Sequence, residues 1–114
     1  MSFSDTFETH VLNYVFTTTS VTRPTAWYVG LFTADPTDTG SGATEISGNS
    51  YTRKAATFTV SGNAATTSGA IEFTSATGSW GTISHIGIFD ASSSGNLIAH
   101  SALSVSKAIG TGDV

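Results

Sequence analysis

Three histidines, eight carboxylates, two tryptophans and many hydroxyls are the side chains here that could do chemistry. Imidazoles are versatile metal ligands, but His10, His85 and His100 show neither an i, i+4 pair nor a His-x-His spacing. Each has a plainer reading. His10 lies on a helix surface, His85 lies on a strand face where it can hydrogen-bond within the core, and His100 lies opposite Leu97 and Leu103. The run Asp35-Pro36-Thr37-Asp38-Thr39-Gly40 alternates oxygen-bearing side chains ahead of a glycine, as a calcium loop does. Such loops close with a bidentate glutamate at the twelfth position; Ile46 stands there, and Glu45 comes one place early. A turn built on Asx hydrogen bonds accounts for the same residues. The sequence therefore implies no metal site.

Catalytic constellations are missing in the same way. There is no cysteine nucleophile and no Gly-x-Ser-x-Gly elbow, the arrangements that would activate a thiol or hydroxyl. The carboxylates are scattered, with nothing to mark a glycosidase pair. Gly40-Ser41-Gly42 and the Gly78 to Gly81 turn are not followed by Gly-Lys-Ser/Thr, so they form no phosphate loop. No catalytic residue and no cofactor is expected, and the chain reads as a non-enzyme. Trp27 sits among apolar strand residues and suits a core. Trp80 follows the Thr77-Gly78-Ser79 turn, where it either plugs the end of a β-sandwich or stacks on a sugar.

The elements that position these residues follow from composition and periodicity. A chain of 114 residues forms one domain (1–114) with one core. Only 11% of the residues are charged, against about 25% in an average soluble domain; Thr, Ser, Gly and Ala take their place. The formal net charge is -4 and the only adjacent basic pair is Arg53-Lys54, so nucleic acid is not an expected partner. Without cysteines there are no disulfides or thiolate zinc sites. The N-terminal residues lack the features of a signal peptide, and no apolar run reaches the ~18 residues of a membrane span, so no membrane association is expected.

Residues 4–17 carry a helical pattern, with Phe7, Val11 and Val15 at intervals of four and Phe3, Leu12, Tyr14 and Phe16 widening the stripe. Ser2 or Ser4 serves as cap, and Asp5 and Glu8 suit the positive end of the helix dipole. The β-branched run Thr17-Thr18-Thr19 and Arg23-Pro24 stop the helix. Beyond it the pattern is β, over 26–106: strands at 26–33, 51–60, 70–74, 82–90 and 97–105, a long loop at 34–50, and turns at Ser61-Gly62-Asn63 and 91–96. In the last strand Leu97, Ala99, Leu103 and Val105 are expected to share a face. The expected fold is mainly β, an antiparallel β-sandwich, jelly-roll-like, with one N-terminal α-helix.

Within it, Tyr28-Val29-Gly30-Leu31-Phe32 is echoed by His85-Ile86-Gly87-Ile88-Phe89. Ordinary strand composition could produce such an echo by chance. A glycine inside a strand also permits close approach, so the strands are expected to be neighbours, with the 4–17 helix of this or an adjacent subunit lying over a notch at Gly30 and Gly87.

Two stretches extend the reading. Tyr28 to Pro36, with its Leu-x-Thr-Ala-Asp-Pro phrase, and Ser79 to Ala91, with its Trp-Gly phrase, resemble a family of small tailed-bacteriophage virion proteins, described variously as tail-fibre proteins or capsid decoration (cement) proteins. The N-terminal helix, the Gly/Ser loop, Tyr51-x-Arg53, Gly95-Asn96-Leu97 and the Lys107 to Asp113 ending match in spacing. In that family the chain usually continues into another strand after the Gly-Asp phrase, whereas this sequence stops at Val114; the expectation is that the last strand is either absent or supplied by a partner. The resemblance implies a structural protein of the virion, assembled in the host bacterial cytoplasm. It favours a decoration subunit that binds the major capsid protein lattice as a homo-oligomer, dimer or trimer. The alternative is a tail or tail-fibre component binding a host surface glycan. Phe3, Phe7, Val11 and Tyr14 of the helix region, Asp35, Asp38 and Glu45 of the long loop, and Trp80 are the candidate interface residues.

Overall fold

The two glycine-containing strands are neighbours. In the computed structural model, which describes residues 2–113, β2 (Trp27–Phe32) and β6 (Gly81–Phe89) run antiparallel with Gly30 opposite Gly87. Around them lie β1 (Ser2–Phe3), helix α1 (Asp5–Phe16), β3 (Lys54–Ala56), β4 (Phe58–Ser61), β5 (Ala64–Thr67) and β7 (Leu97–Ile109). One antiparallel sheet has the order β1-β7-β6-β2-β3, and β4 and β5 form a separate hairpin. The protein is thus mainly β and antiparallel with one N-terminal helix. The sandwich is open, because loops and single side chains stand where a second full sheet would close it.

Cross-strand partners share a face, so the register sorts the core. Val29, Ile88 and Ala99 point one way; Tyr28, Gly30, Phe32, Gly87, Phe89 and His100 point the other. On the first face Ile88, Ile98 and Ala99 form a buried cluster against which Phe7, Trp27 and Phe58 pack. Toward the far end Ala76, Trp80 and Ile83 form a second, covered by Leu31, Ile46, Tyr51 and Phe73 among others.

Four sequence expectations are corrected. The 51–60 strand breaks at Thr57, where the chain leaves the edge of the main sheet and β4 turns away to pair with β5, a strand that the alanine- and threonine-rich pattern did not reveal. Residues 70–74 form no strand: Ile71 and Phe73 are half-buried, but the segment carries no ladder hydrogen bonds. A register shift between Ile88 and Phe89 inserts an extra residue at Ile98, and such a bulge flips the alternation. Leu97 and His100 consequently share a face, and Leu97 does not face with Ala99. The fourth correction concerns the glycine notch, where α1 does not lie. A Cβ on Gly87 would meet Leu97 Cδ1 at 2.8 Å and Phe32 Cε2 at 2.9 Å, and one on Gly30 would meet Glu45 Oε2 at 2.7 Å. The notch is filled by the long loop and by the rings of the sheet itself.

Candidate functional site

Helix α1 begins where the sequence places it. Ser4 is its N-cap, with its Oγ accepting from the Phe7 N–H at 3.2 Å and donating to the Leu97 carbonyl, while the Ser4 N–H donates to Ile98 O at 2.8 Å. These bonds and the Ser2–Phe3 pairing with Ala99 and His100 fix the helix entry to β7. Phe3 and Phe7 meet edge to face at 5.0 Å, and Phe7 reaches the Ile88 cluster. The anchorage stops there. No residue of α1 is buried: Val11 is 39%, Leu12 58%, Tyr14 78%, Val15 60% and Phe16 77% exposed. A groove of about 450 Å³ separates the helix from the returning chain, lined by Phe7, His10, Val11, Tyr14, Val21 and Pro24 among others. An apolar stripe left in water is unfavourable for an isolated domain.

The long loop touches the foot of this helix. The Asp5 N–H donates to Asp38 O at 2.8 Å. Asp38 Oδ1 accepts from His100 Nε2 at 2.8 Å, and Asp35 Oδ1 lies 3.5 Å from His100 Nδ1. An ionised carboxylate only accepts, so His100 presents its Nε2 proton to Asp38. Asp35 also accepts from the Thr37 N–H at 2.8 Å, the Asx turn expected from the sequence, with Thr37 at φ 63°. Oxygens of Asp5, Glu8 and Asp38 lie within 4.8 Å of one another, all exposed. The helix N-terminus offsets part of their mutual repulsion.

The rest of the loop is fastened to the sheet. Glu45, paired with Phe32 across an isolated bridge, takes a bidentate ion pair from Arg53 at 2.8–3.1 Å. Arg53 is only 8% exposed in its side chain; its guanidinium stands 3.5 Å over the Phe89 ring and donates to the carbonyls of Ala91 and Ser94. The Tyr51 hydroxyl donates to Glu45 and accepts from the Leu31 N–H at 3.0 Å. Burial, reinforced by the hydrogen bond to Glu45, holds that phenol far above its ordinary range. This is a structural clamp: its charged groups are paired with each other and with the backbone.

Of the candidate residues, the structure brings Phe3, Phe7, Val11 and Tyr14 together on or beside α1 and sets Asp35 and Asp38 at its foot. Glu45 is enclosed by the clamp. Trp80 is 6% exposed, with Tyr51 and Phe73 against its ring and its Nε1–H donated to Asn49 O at 3.0 Å. It plugs the core and presents no face to a sugar. Leu12, Val15 and Phe16, the most solvent-facing part of the stripe together with Tyr14, belong with the candidate surface. Their position in the helical pattern was visible in the sequence, but that the fold leaves them exposed was not.

Comparison with known proteins gives one family: residues 2–114 match the family model described as podophage GP4 fiber I protein gp80. No curated protein matches the chain.

Proposed function

Because the chain belongs to the podophage GP4 fiber I protein gp80 family, it is a structural component of a bacteriophage virion, and we propose that it serves there as a non-catalytic fibre subunit, held in the particle through helix α1. The observation that carries this reading is the imbalance of α1. Its N-terminal turn is tied to β7 by the Ser4 bonds, and its C-terminal half presents Leu12, Tyr14, Val15 and Phe16 to solvent. Burying such side chains is worth ~1.5–3 kcal/mol each, a gain open only to an assembled state. Among the described residues no helix is long and apolar enough to cross a membrane.

The cement reading uses the same surface. The β4–β5 hairpin, exposed along nearly its whole length, is a second arm on a small body, and an isolated hairpin is marginal in water unless it is packed. Two arms would let one subunit grip a joint between major capsid proteins. Quantitative mass spectrometry of purified particles separates the readings: a small number of copies per particle is expected of a fibre, and hundreds in simple ratio to the major capsid protein would overturn it in favour of decoration. Particles made with Val15→Asp should lack the protein; full incorporation would refute attachment through α1.

A further inference from the structure

We propose that the groove between α1 and the returning chain binds an extended segment of a different protein of the particle, one that carries a carboxylate between apolar side chains. The inference rests on α1 being the attachment helix and names the chemistry of what lies along its inner side. Phe7, Val11 and Tyr14 form one wall and Val21 and Pro24 the other, around about 450 Å³, a volume within the ~300–1,000 Å³ of ligand sites. His10 and Arg23 stand in the same lining, which contains no Asp or Glu.

Arg23 sets the charge of the occupant. It is the only Asp, Glu, Lys or Arg between Glu8 and Asp35. Arg53 is paired with Glu45, whereas Arg23 has no acidic partner among the described residues. An exposed guanidinium beside apolar walls takes a carboxylate in a bidentate pair, and the His10 imidazole adds a donor. Asp90 does not compete for this role: it lines the smaller adjoining cavity, and its two oxygens accept from Asn96 at 2.7 and 3.1 Å.

The returning chain sets the form of the occupant. Residues 20–25, between α1 and β2, make no main-chain hydrogen bond to the rest of the protein among the described residues. Pro24 lacks an N–H but holds Arg23 in the extended region, so Val21 to Arg23 present main-chain donors and acceptors as a strand edge does. An extended peptide pairs with such an edge and drops alternate side chains into the groove. A second copy does not supply that peptide. Glu72, between Ile71 and Phe73, is the only acidic residue of this chain flanked by two large apolar side chains, and Phe73 is packed on the Trp80 cluster.

The test is a nuclear magnetic resonance titration of the isotope-labelled full chain with the peptide acetyl-Ala-Leu-Glu-Leu-Ala-amide. Additions up to roughly 5 mM should shift His10, Val11 and Val21 saturably, since a segment this short binds at about 1 mM. A Leu-Gln-Leu peptide and Arg23→Gln should each weaken binding roughly 5-fold, the upper worth of an exposed ion pair, and together no further. Lys107→Gln, which removes an exposed cation of β7, should leave binding unchanged. No saturable shift, equal binding of the Gln peptide, or an equal loss with Lys107→Gln would each overturn the inference. Particle incorporation separates it from the reading beneath it. If Val15→Asp is missing from particles while the wild type ignores the peptide, the groove inference fails and attachment through α1 stands. If the peptide binds with the stated Arg23 dependence and Val15→Asp enters particles at full copy number, attachment fails and the groove inference stands.

Discussion

Replacing Arg53 by methionine should be among the most damaging single changes available outside the apolar core. The side chain is 8% exposed and its Glu45 partner 20%. Removing the guanidinium leaves a half-buried carboxylate with only the Tyr51 hydroxyl to satisfy it, and frees the Ala91 and Ser94 carbonyls. Breaking a buried pair from one side costs ~3–5 kcal/mol, and the contact over Phe89 at 3.5 Å adds up to ~2 kcal/mol. Methionine keeps the packing of the stem, so about 4 kcal/mol is expected. For 114 residues the unfolding entropy is about 240 cal/mol/K, which makes this a fall of roughly 17 °C in Tm. The decisive assay is a double-mutant cycle in urea. Glu45→Gln keeps an acceptor for Tyr51 and removes the charge, so Arg53→Met with Glu45→Gln should recover at least ~2 kcal/mol relative to the sum of the single changes. A loss under ~1 kcal/mol for Arg53→Met, or strictly additive losses, would refute the claim that the clamp is a coupled, desolvated pair.

Gly87→Ala should destabilise by ~1–3 kcal/mol through overpacking, because its Cβ would fall 2.8–2.9 Å from Leu97 and Phe32; a neutral melting temperature would show that those side chains yield freely. Ser4→Ala should cost ~1–2 kcal/mol and speed hydrogen exchange across Asp5–Phe16 while sparing β6; unchanged α1 protection would mean the helix is held by something other than its cap. Tyr51 is stabilised in its protonated form. Its contribution is therefore complete below the ordinary phenol pKa of ~10 and is lost as pH rises above it, where only the unfolded chain ionises readily. Stability should fall above about pH 10 less steeply in Tyr51→Phe than in the wild type; equal slopes would place the alkaline loss elsewhere.

Much of the architecture was legible. The 4–17 periodicity corresponds to α1 almost to the residue because its caps are local: Ser4 at one end and Thr17, whose N–H bonds Asn13 O, at the other. The Tyr28 to Phe32 and His85 to Phe89 echo did mark paired strands, with the glycines in register. β5 was hidden because Ala64, Ala65, Thr66 and Thr67 carry no apolar alternation, and its partner β4 supplies the ladder. The extra residue at Ile98 could not be seen because a bulge depends on the neighbouring strand.

What the sequence determined by itself was whatever short-range chemistry dictates: a capped helix, β strands with turns between them, an Asx turn at Asp35, an absence of catalytic patterns, and membership of a phage structural family. Only the tertiary structure decided what lies on what. The notch over Gly30 and Gly87 is closed by Glu45 of the long loop and by Phe32, Phe89 and Leu97 of the sheet, because a loop tethered to the adjacent strand end reaches it readily. The helix, tied to the far edge at Ser4, packs Phe7 on the opposite face. That arrangement commits the Arg53–Glu45 ion pair to the loop and leaves the apolar half of α1 uncovered. An amphipathic pattern states that a face must be buried; it does not state that the cover belongs to the same chain.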